Sequence, residues 1–299
     1  MSLVIVGSLA LDTIETPYRR VEKIVGGSCT YCALSASFFT KPGIVGVVGE
    51  DFPKETIDFL QRMRIDTRGL AVSEGKTFHW EGHYGSDPNQ RTTKKLEMNV
   101  FQNFRPQLPP DYRDAEILFL ANINPDLQED ILNQAKNPKL IALDTISHWI
   151  ERKKDALVKV LERVDMFFCN DEEAYLLTGE ENLVRAGQGI AGMGPATIVI
   201  KKGEHGVLVF SRDFLFEMLA YPCEKVVDAT GAGDSFAGGF LGYLDKAGTL
   251  TEKDLRKASA LGTVMAAFVI EDFGIQRFRS LKLQDIESRL DRFKRYVSF

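Results

Sequence analysis

Cysteine is scarce, four residues in a chain of 299, which is too few for a disulfide framework. A reducing cytoplasm is therefore the expected setting. No apolar run approaches the roughly 18 residues that a membrane-spanning helix requires. The opening stretch, MSLVIVGSLALDTIE, lacks a basic n-region and reaches Asp12 early, so it reads as a first strand and not as a secretion signal. Positive charge is not in excess either. The 37 Lys+Arg face 42 Asp+Glu, a net of −5, and a nucleic-acid surface would want the opposite balance. Two nucleotide motifs are missing, G-x-x-x-x-G-K-[ST] anywhere and G-x-G-x-x-G after the first strand. There is no internal repeat, low-complexity tract or linker. These absences exclude membrane-spanning, disulfide-built and disordered classes. A chain this long buries about three quarters of its unfolded surface without any staple.

What is present is alternation. Short β-branched or aromatic runs recur at Leu3–Gly7, Ile44–Val48, Glu116–Ala121, Leu140–Asp144, Met166–Asn170 and Thr197–Lys201. Their near-continuous apolarity predicts strands buried on both faces, as in a parallel sheet. Helix-period segments lie between them, at Asp51–Arg64, Asp126–Lys136, Arg152–Arg163 and Asp171–Thr178. From about Asp228 onward the period is mainly helical, through Ser235–Asp245, Thr251–Phe268 and Gln284–Arg295. The order predicts one doubly wound α/β domain over residues 1–299. Ligands in such sheets sit beyond the carboxyl ends of the strands. Those ends carry Asp12, Asn122, Asn124, Asp144, Asn170 and Lys202.

One region breaks the pattern. Thr77–Met98 alternates polar and apolar residues around the turn signal Ser86-Asp87-Pro88-Asn89, a hairpin with two unlike faces. With the strand-like Thr13–Val25 it predicts a small sheet standing off the main domain, as a lid, a dimer surface or plain decoration. His79, Glu81 and His83 share one face of this hairpin, which suits a solvated face or a metal. Cys29-x-x-Cys32 has dithiol spacing but no second pair, and reads as two small thiols buried in a helix.

The chemistry concentrates in residues 226–240, VVDATGAGDSFAGGF. Gly231 and Gly233 permit close backbone approach at the start of a helix. A helix start leaves unpaired N–H groups and about half a positive charge, a ready anion hole. Ala237, Gly238 and Gly239 let the helix pack closely on a neighbour. Asp234 in such a turn either caps the helix or accepts the proton of a hydroxyl that attacks a phosphoryl group.

This string resembles the C-terminal signature of the ribokinase-like carbohydrate kinases, the phosphofructokinase-B family. Gly26-Gly27 before a helix, GIVGVVGEDFPKETIDFL at 43–60, Asn170-x-x-Glu173, Lys202-Gly203-Glu204-His205-Gly206 and FVIEDFG at 268–274 recur in the family's order and span nearly the whole chain. The resemblance implies a ribokinase-like, mostly parallel sheet with helices on both faces and a lid from about 13–25 and 72–99. It also implies transfer of the ATP γ-phosphate to a hydroxymethyl group of a small sugar-like acceptor, with Mg²⁺ and, in some members, K⁺. Asp234 then resembles the general base, and Gly231, Ala232 and Gly233 the anion hole. Asp12, Gly26, Gly27, Ser28, Tyr31 and Asn122 fall on the acceptor side. Asn170, Glu173, Lys202, Gly203 and Thr230 fall on the nucleotide side, with Glu173 acting on Mg²⁺ through water. Asp228 lies near the monovalent-cation site of some members, or fixes its own loop. A lid with an open face implies a homodimer paired through it.

The chain departs from sugar kinases at Tyr31, where an Asn would hold a hydroxyl, and at Ala121–Pro125, where the acidic residue of ribose-specific members is missing. Tyr31, Trp80 and Phe101 could line an aromatic wall for a base, or pack as core. A sugar or sugar-like acceptor is thus the first expectation, a ribonucleoside the alternative, and a catalytically silent ligand-binding protein the third.

Overall fold

The computed structural model describes residues 2–298. The strands in chain order are β1 Leu3–Val6, β2 Ala10–Glu15, β3 Arg20–Gly26, β4 Gly43–Gly49, β5 Asp66–Ser73, β6 His79–Tyr84 and β7 Arg91–Glu97. They continue with β8 Ile117–Leu120, β9 Leu140–Asp144, β10 Met166–Asn170, β11 Thr197–Lys201, β12 Val207–Ser211 and β13 Leu215–Met218. The helices are α1 Ser28–Ala36, α2 Lys54–Arg62, α3 Pro125–Leu132, α4 Ser147–Leu161, α5 Asp171–Thr178 and α6 Leu183–Ala191. The C-terminal set is α7 Ala232–Ala247, α8 Glu252–Val269, α9 Gln276–Ser280 and α10 Leu283–Val297.

Nine strands form the main sheet in the order β13-β12-β11-β10-β9-β8-β1-β4-β5. All pairs from β5 to β11 are parallel; β12 and β13 close one edge antiparallel. The chain winds one way from β1 to β4 and β5, then the other way from β8 onward. The crevice therefore opens beside β1, beyond the carboxyl ends. Side chains alternate between two cores, as a sheet covered on both faces demands. Leu3, Ile5, Phe119, Phe168 and Val199 face α1, α7, α8 and α10. Val4, Val6, Leu118, Leu120, Phe167 and Ile200 face α3 to α6. Among the described residues no helix is long and apolar enough to cross a membrane.

The second sheet, β3-β2-β6-β7, is the small separate sheet expected as a lid. Its β6–β7 hairpin turns at the expected residues, with the Asn89 amide donating to the Asp87 carboxylate at 2.9 Å. Its strands span 10–26 and 79–97, wider in the first segment and narrower in the second than the expected 13–25 and 72–99. Val72 and Ser73 pair with Val48 and Gly49 in the main sheet, so the lid begins at Ala10 and His79. Its outer face is charged: Arg20 pairs with Glu81 at 2.8 Å and Lys94 with Glu15 at 2.6 Å. The His79 ring bonds the Leu11 carbonyl, and among the described residues no cluster of His, Cys, Asp and Glu is built to hold a metal.

The small residues of α7 form a tight seam. A Cβ on Gly238 would strike the Cys32 carbonyl of α1, and one on Gly242 would come within 2.9 Å of the Ala36 Cα. On the other side, a Cβ on Gly239 would lie 2.8 Å from the Met265 Cγ of α8. Cys29 and Cys32 are buried free thiols of α1.

Candidate active site

Asp12 lies on β2 at a bulge, where the pairing with β3 shifts register before Ile14. The bulge re-aims the carboxylate over Gly26, where a Cβ would overlap Asp12 Oδ2, so only glycine fits. Asp12 is 3% exposed. Burial, and then the charges of Asp228 and Asp234, hold its carboxyl well above the usual range. Gly27 caps α1, and Ser28 is engaged with Ser8, hydroxyl to hydroxyl at 3.1 Å.

The glycine turn opens α7. Gly231 is the N-cap, at φ 76°, and supplies no side-chain acceptor to the first helical N–H groups. Asp234 sits three residues further in, so it is not the cap. Its Oδ1 accepts a 3.5 Å bond from Asn122 Nδ2 at the end of β8. Burial and the nearby Asp144 push Asp234 up to about 6, against the pull of Lys201 and Arg91.

Lys201 is a residue the sequence reading passed over in favour of Lys202. Its Nζ pairs with Asp144 Oδ2 at 2.7 Å, and lies 3.2 Å from where a Cβ of Gly233 would be. Burial alone would lower its pKa, but Asp144, Glu173 and Asp234 more than reverse that and raise it. A fixed positive charge thus stands beneath the glycine turn. Lys202 instead pairs with Glu217 on β13. The available signal was strand parity, because residues 199 and 201 of β11 share the face toward α7.

Asn170 and Glu173 form a reciprocal capping box on α5. The Glu173 amide donates to Asn170 Oδ1 at 2.7 Å, and the Asn170 amide to Glu173 Oε2 at 2.8 Å. Burial pushes Glu173 up to about 7, with Lys201 opposing. Asp228 ties its own loop, accepting from the amides of Thr230 at 2.9 Å and Gly274 at 3.3 Å. Asn124 caps α3 and stands apart from this cluster.

The three aromatic candidates separate. Tyr31 is 1% exposed and its ring packs beneath Gly231, with no hydrogen-bond partner for its hydroxyl among the described residues. Phe101 stacks with Phe78 and Phe104 in the main core, at 5.5 Å each. Trp80 remains partly exposed. Its ring lies across Gly82, where any Cβ would collide with it, and its indole N–H donates to Thr93 Oγ1 at 3.1 Å.

The lid reaches this cluster at two points. Tyr84 Oη and Thr230 Oγ1 share a 3.0 Å hydrogen bond, and Asn89 at the hairpin turn packs on Gly203.

Comparison with known proteins agrees with this geometry. A model of the pfkB family of carbohydrate kinases matches residues 2–280. A cytidine kinase of Thermococcus kodakarensis is 33% identical over 280 residues, covering 92% of this chain and 98% of its own. Among solved structures, a Burkholderia thailandensis nucleoside kinase in complex with inosine superposes with a TM-score of 0.79 at 19% identity, over 99% of this chain and 98% of its own. An Escherichia coli ribokinase II candidate, in complex with ATP and Mg²⁺, gives 0.76 at 20% identity, over 98% of this chain and 100% of its own. The signature turn, the switch-point crevice and a family match along nearly the whole chain converge: this protein is a kinase belonging to the pfkB carbohydrate kinase family.

Proposed function

We propose that this kinase transfers the γ-phosphate of ATP to the 5′-hydroxymethyl group of a ribonucleoside. The observation that carries the acceptor class is Trp80, a partly exposed indole whose ring lies over Gly82 on β6, the strand paired with the one that carries Asp12. A carboxylate with two acceptor oxygens suits the adjacent 2′ and 3′ hydroxyls of ribose. A flat ring beside it suits a base. Free sugars use the first and leave the second idle, which reverses the order expected from sequence. The cytidine kinase likeness, at 33% identity over nearly the full length, supports the same class.

In this reading Asp234 takes the proton of the attacking hydroxyl. The hydroxyl oxygen bonds to the γ-phosphorus as the bridge to the β-phosphate breaks, and ADP leaves with that electron pair. The uncapped N–H groups at the start of α7 and the charge of Lys201 stabilise the oxygens of the moving group. Asp144, Asn170 and Glu173 offer hard oxygen donors, which fits Mg²⁺ held largely through water. When bound, that ion neutralises phosphate charge. The lid excludes water from the site.

The test compares kcat/KM for cytidine, the other ribonucleosides, ribose and fructose in the wild type and in Trp80→Ala. Nucleosides should be preferred. The substitution should raise their KM by roughly tenfold, the scale of one stacking contact, while leaving ribose unaffected. Better turnover of ribose than of every nucleoside, or an unchanged nucleoside KM in the variant, would overturn the assignment.

A further inference from the structure

Helix α3 packs on the sheet through Leu127, Ile131 and Leu132, and on that same face sits Gln128, which is fully buried. A leucine would complete the apolar stripe. A buried amide costs free energy unless it is hydrogen-bonded, so its partners show what holds it there. Both hydrogens of Nε2 are used. One is donated to the Ala121 carbonyl at 2.9 Å and the other to the Asp144 carbonyl at 3.2 Å. The reverse orientation would set Oε1 against two carbonyl oxygens, so the amide has one workable placement. Oε1 itself has no partner among the described residues.

The two carbonyls belong to neighbouring strand ends. β8 and β9 run in parallel register from Ile117 opposite Leu140 to Leu120 opposite Leu143, so Ala121 and Asp144 stand where the next pair would be. There the ladder stops, and Gln128 spans the gap as a rung made of side chain. Each strand end then leads into the site. Ala121 O also accepts the Ile123 N–H at 2.7 Å, which closes a tight turn with Asn122 at its centre. Asn122 Nδ2 reaches Asp234 Oδ1 at 3.5 Å, a long bond that a small displacement would break. Asp144 Oδ2 holds Lys201 Nζ at 2.7 Å. One amide thus fixes the main chain beneath both residues that bracket the Asp234 turn. With no surface open to solvent, Gln128 is itself closed off from any ligand in the crevice.

We propose that Gln128 is a positioning residue for phosphoryl transfer: by joining the ends of β8 and β9 it aims Asn122 at Asp234 and Asp144 at Lys201. The proposal rests on the reading of Asp234 as the base and is indifferent to which alcohol is phosphorylated.

The experiment measures kcat, both KM values and thermal unfolding, with the alcohol the wild type uses best. The variants are Gln128→Met, Asn122→Ala, their double, Gln134→Met and Asp234→Asn. Methionine keeps the length of Gln128 and removes both donors. Its kcat should fall about 10–10²-fold, the scale of a misplaced catalytic group, with KM for ATP and for the alcohol held. Gln134, at the opposite end of α3, is the control; its Nε2 donates to the Pro106 and Asp130 carbonyls at 3.0 and 3.2 Å. Gln134→Met should lose stability and keep kcat. If Gln128 acts through Asn122, the losses overlap, so adding Gln128→Met to Asn122→Ala should cost clearly less than Gln128→Met costs alone. Should methionine prevent folding, Gln128→Glu is read by the same split. As the acid it keeps one of the two donors, and its kcat should fall severalfold with both KM values held. In whichever variant folds, an unchanged kcat or a loss carried by KM would overturn the role. So would an equal kcat loss in Gln134→Met, or losses that multiply in the double variant. If Asp234→Asn abolishes turnover while the Gln128 variants do not, only the positioning assignment fails. If Asp234→Asn leaves turnover intact, the reading of Asp234 fails and the positioning role with it.

Discussion

Replacing Asp234 by Asn should make the enzyme slower and the fold more stable at once. The ionised carboxylate sits where burial and Asp144 push it up to about 6, against an ordinary 3.8. That is about two pKa units, which at about 1.36 kcal/mol each is about 3 kcal/mol of unfavourable energy for the charged form. The residue is partly reached by solvent, so about 1–2 kcal/mol of that is the expected gain when the charge is removed. For 299 residues the unfolding entropy is about 0.6 kcal/mol per kelvin, which converts the gain to a Tm rise of about 2–3 °C. The sign fixes a pH window. A carboxyl raised in the folded state stabilises the fold when protonated, fully below pH 4, and that contribution is lost as pH climbs through 6. The Tm difference between variant and wild type should therefore be largest at pH 7–8 and close on acidification toward pH 4. Calorimetry of both proteins without nucleotide across that range reads it directly. Turnover should meanwhile fall about 10²–10⁴-fold, the scale of a general base. A variant with lower Tm at pH 7.5, or a difference that grows on acidification, would refute the electrostatic argument. Near-normal turnover would refute the base.

Lys201→Met should be the most damaging single change near the site, because it strands the buried Asp144 carboxylate; a loss of about 3–5 kcal/mol in urea unfolding is expected. Lys201→Met/Asp144→Leu should recover much of that stability but no activity, and a double variant no more stable than the single would refute the pairing argument. Gly231→Ala forces a side chain into φ 76° and onto the Tyr31 ring, so its stability should drop by about 1–3 kcal/mol. Unchanged unfolding in that variant would show that the turn relaxes freely.

The parallel sheet was legible because each of its buried strands must be apolar on both faces, which leaves a dense local signal. The main-sheet strands that escaped are β5 and β13 at the edges, and β12 beside β13. Most side chains of β5 are at least partly exposed, and β13 has only four residues, so neither carries a run that stands out. Helix α6, LVRAGQGIA, carries two glycines that dilute its period. Within the site, the residues in the signature turn were readable as a motif, since their spacing is local. Lys201 was not, because choosing between it and Lys202 needs the parity of β11 relative to α7. Tyr31 and Trp80 could not be told apart for a similar reason. The sequence places both near the acceptor, but which ring is roofed over depends on α7 lying against α1.

The glycine seam of α7 has a mechanical corollary. Where two helices meet backbone to backbone, no compressible side chain lies between them to absorb a displacement. The helix carrying Asp234 and the helix led by Gly26-Gly27 are therefore locked as one stiff frame, so the proposed proton acceptor and the proposed acceptor cradle keep a fixed spacing. The adjustable parts lie in the other sheet. Acceptor preference can then drift by exchanging residues on β6 and β7, much as a tool changes its jaws, while the frame that performs the chemistry is left unaltered. Directed evolution toward new acceptors has its productive ground at Trp80 and Thr93, and substitutions along Gly238–Gly242 should be eliminated in any such library.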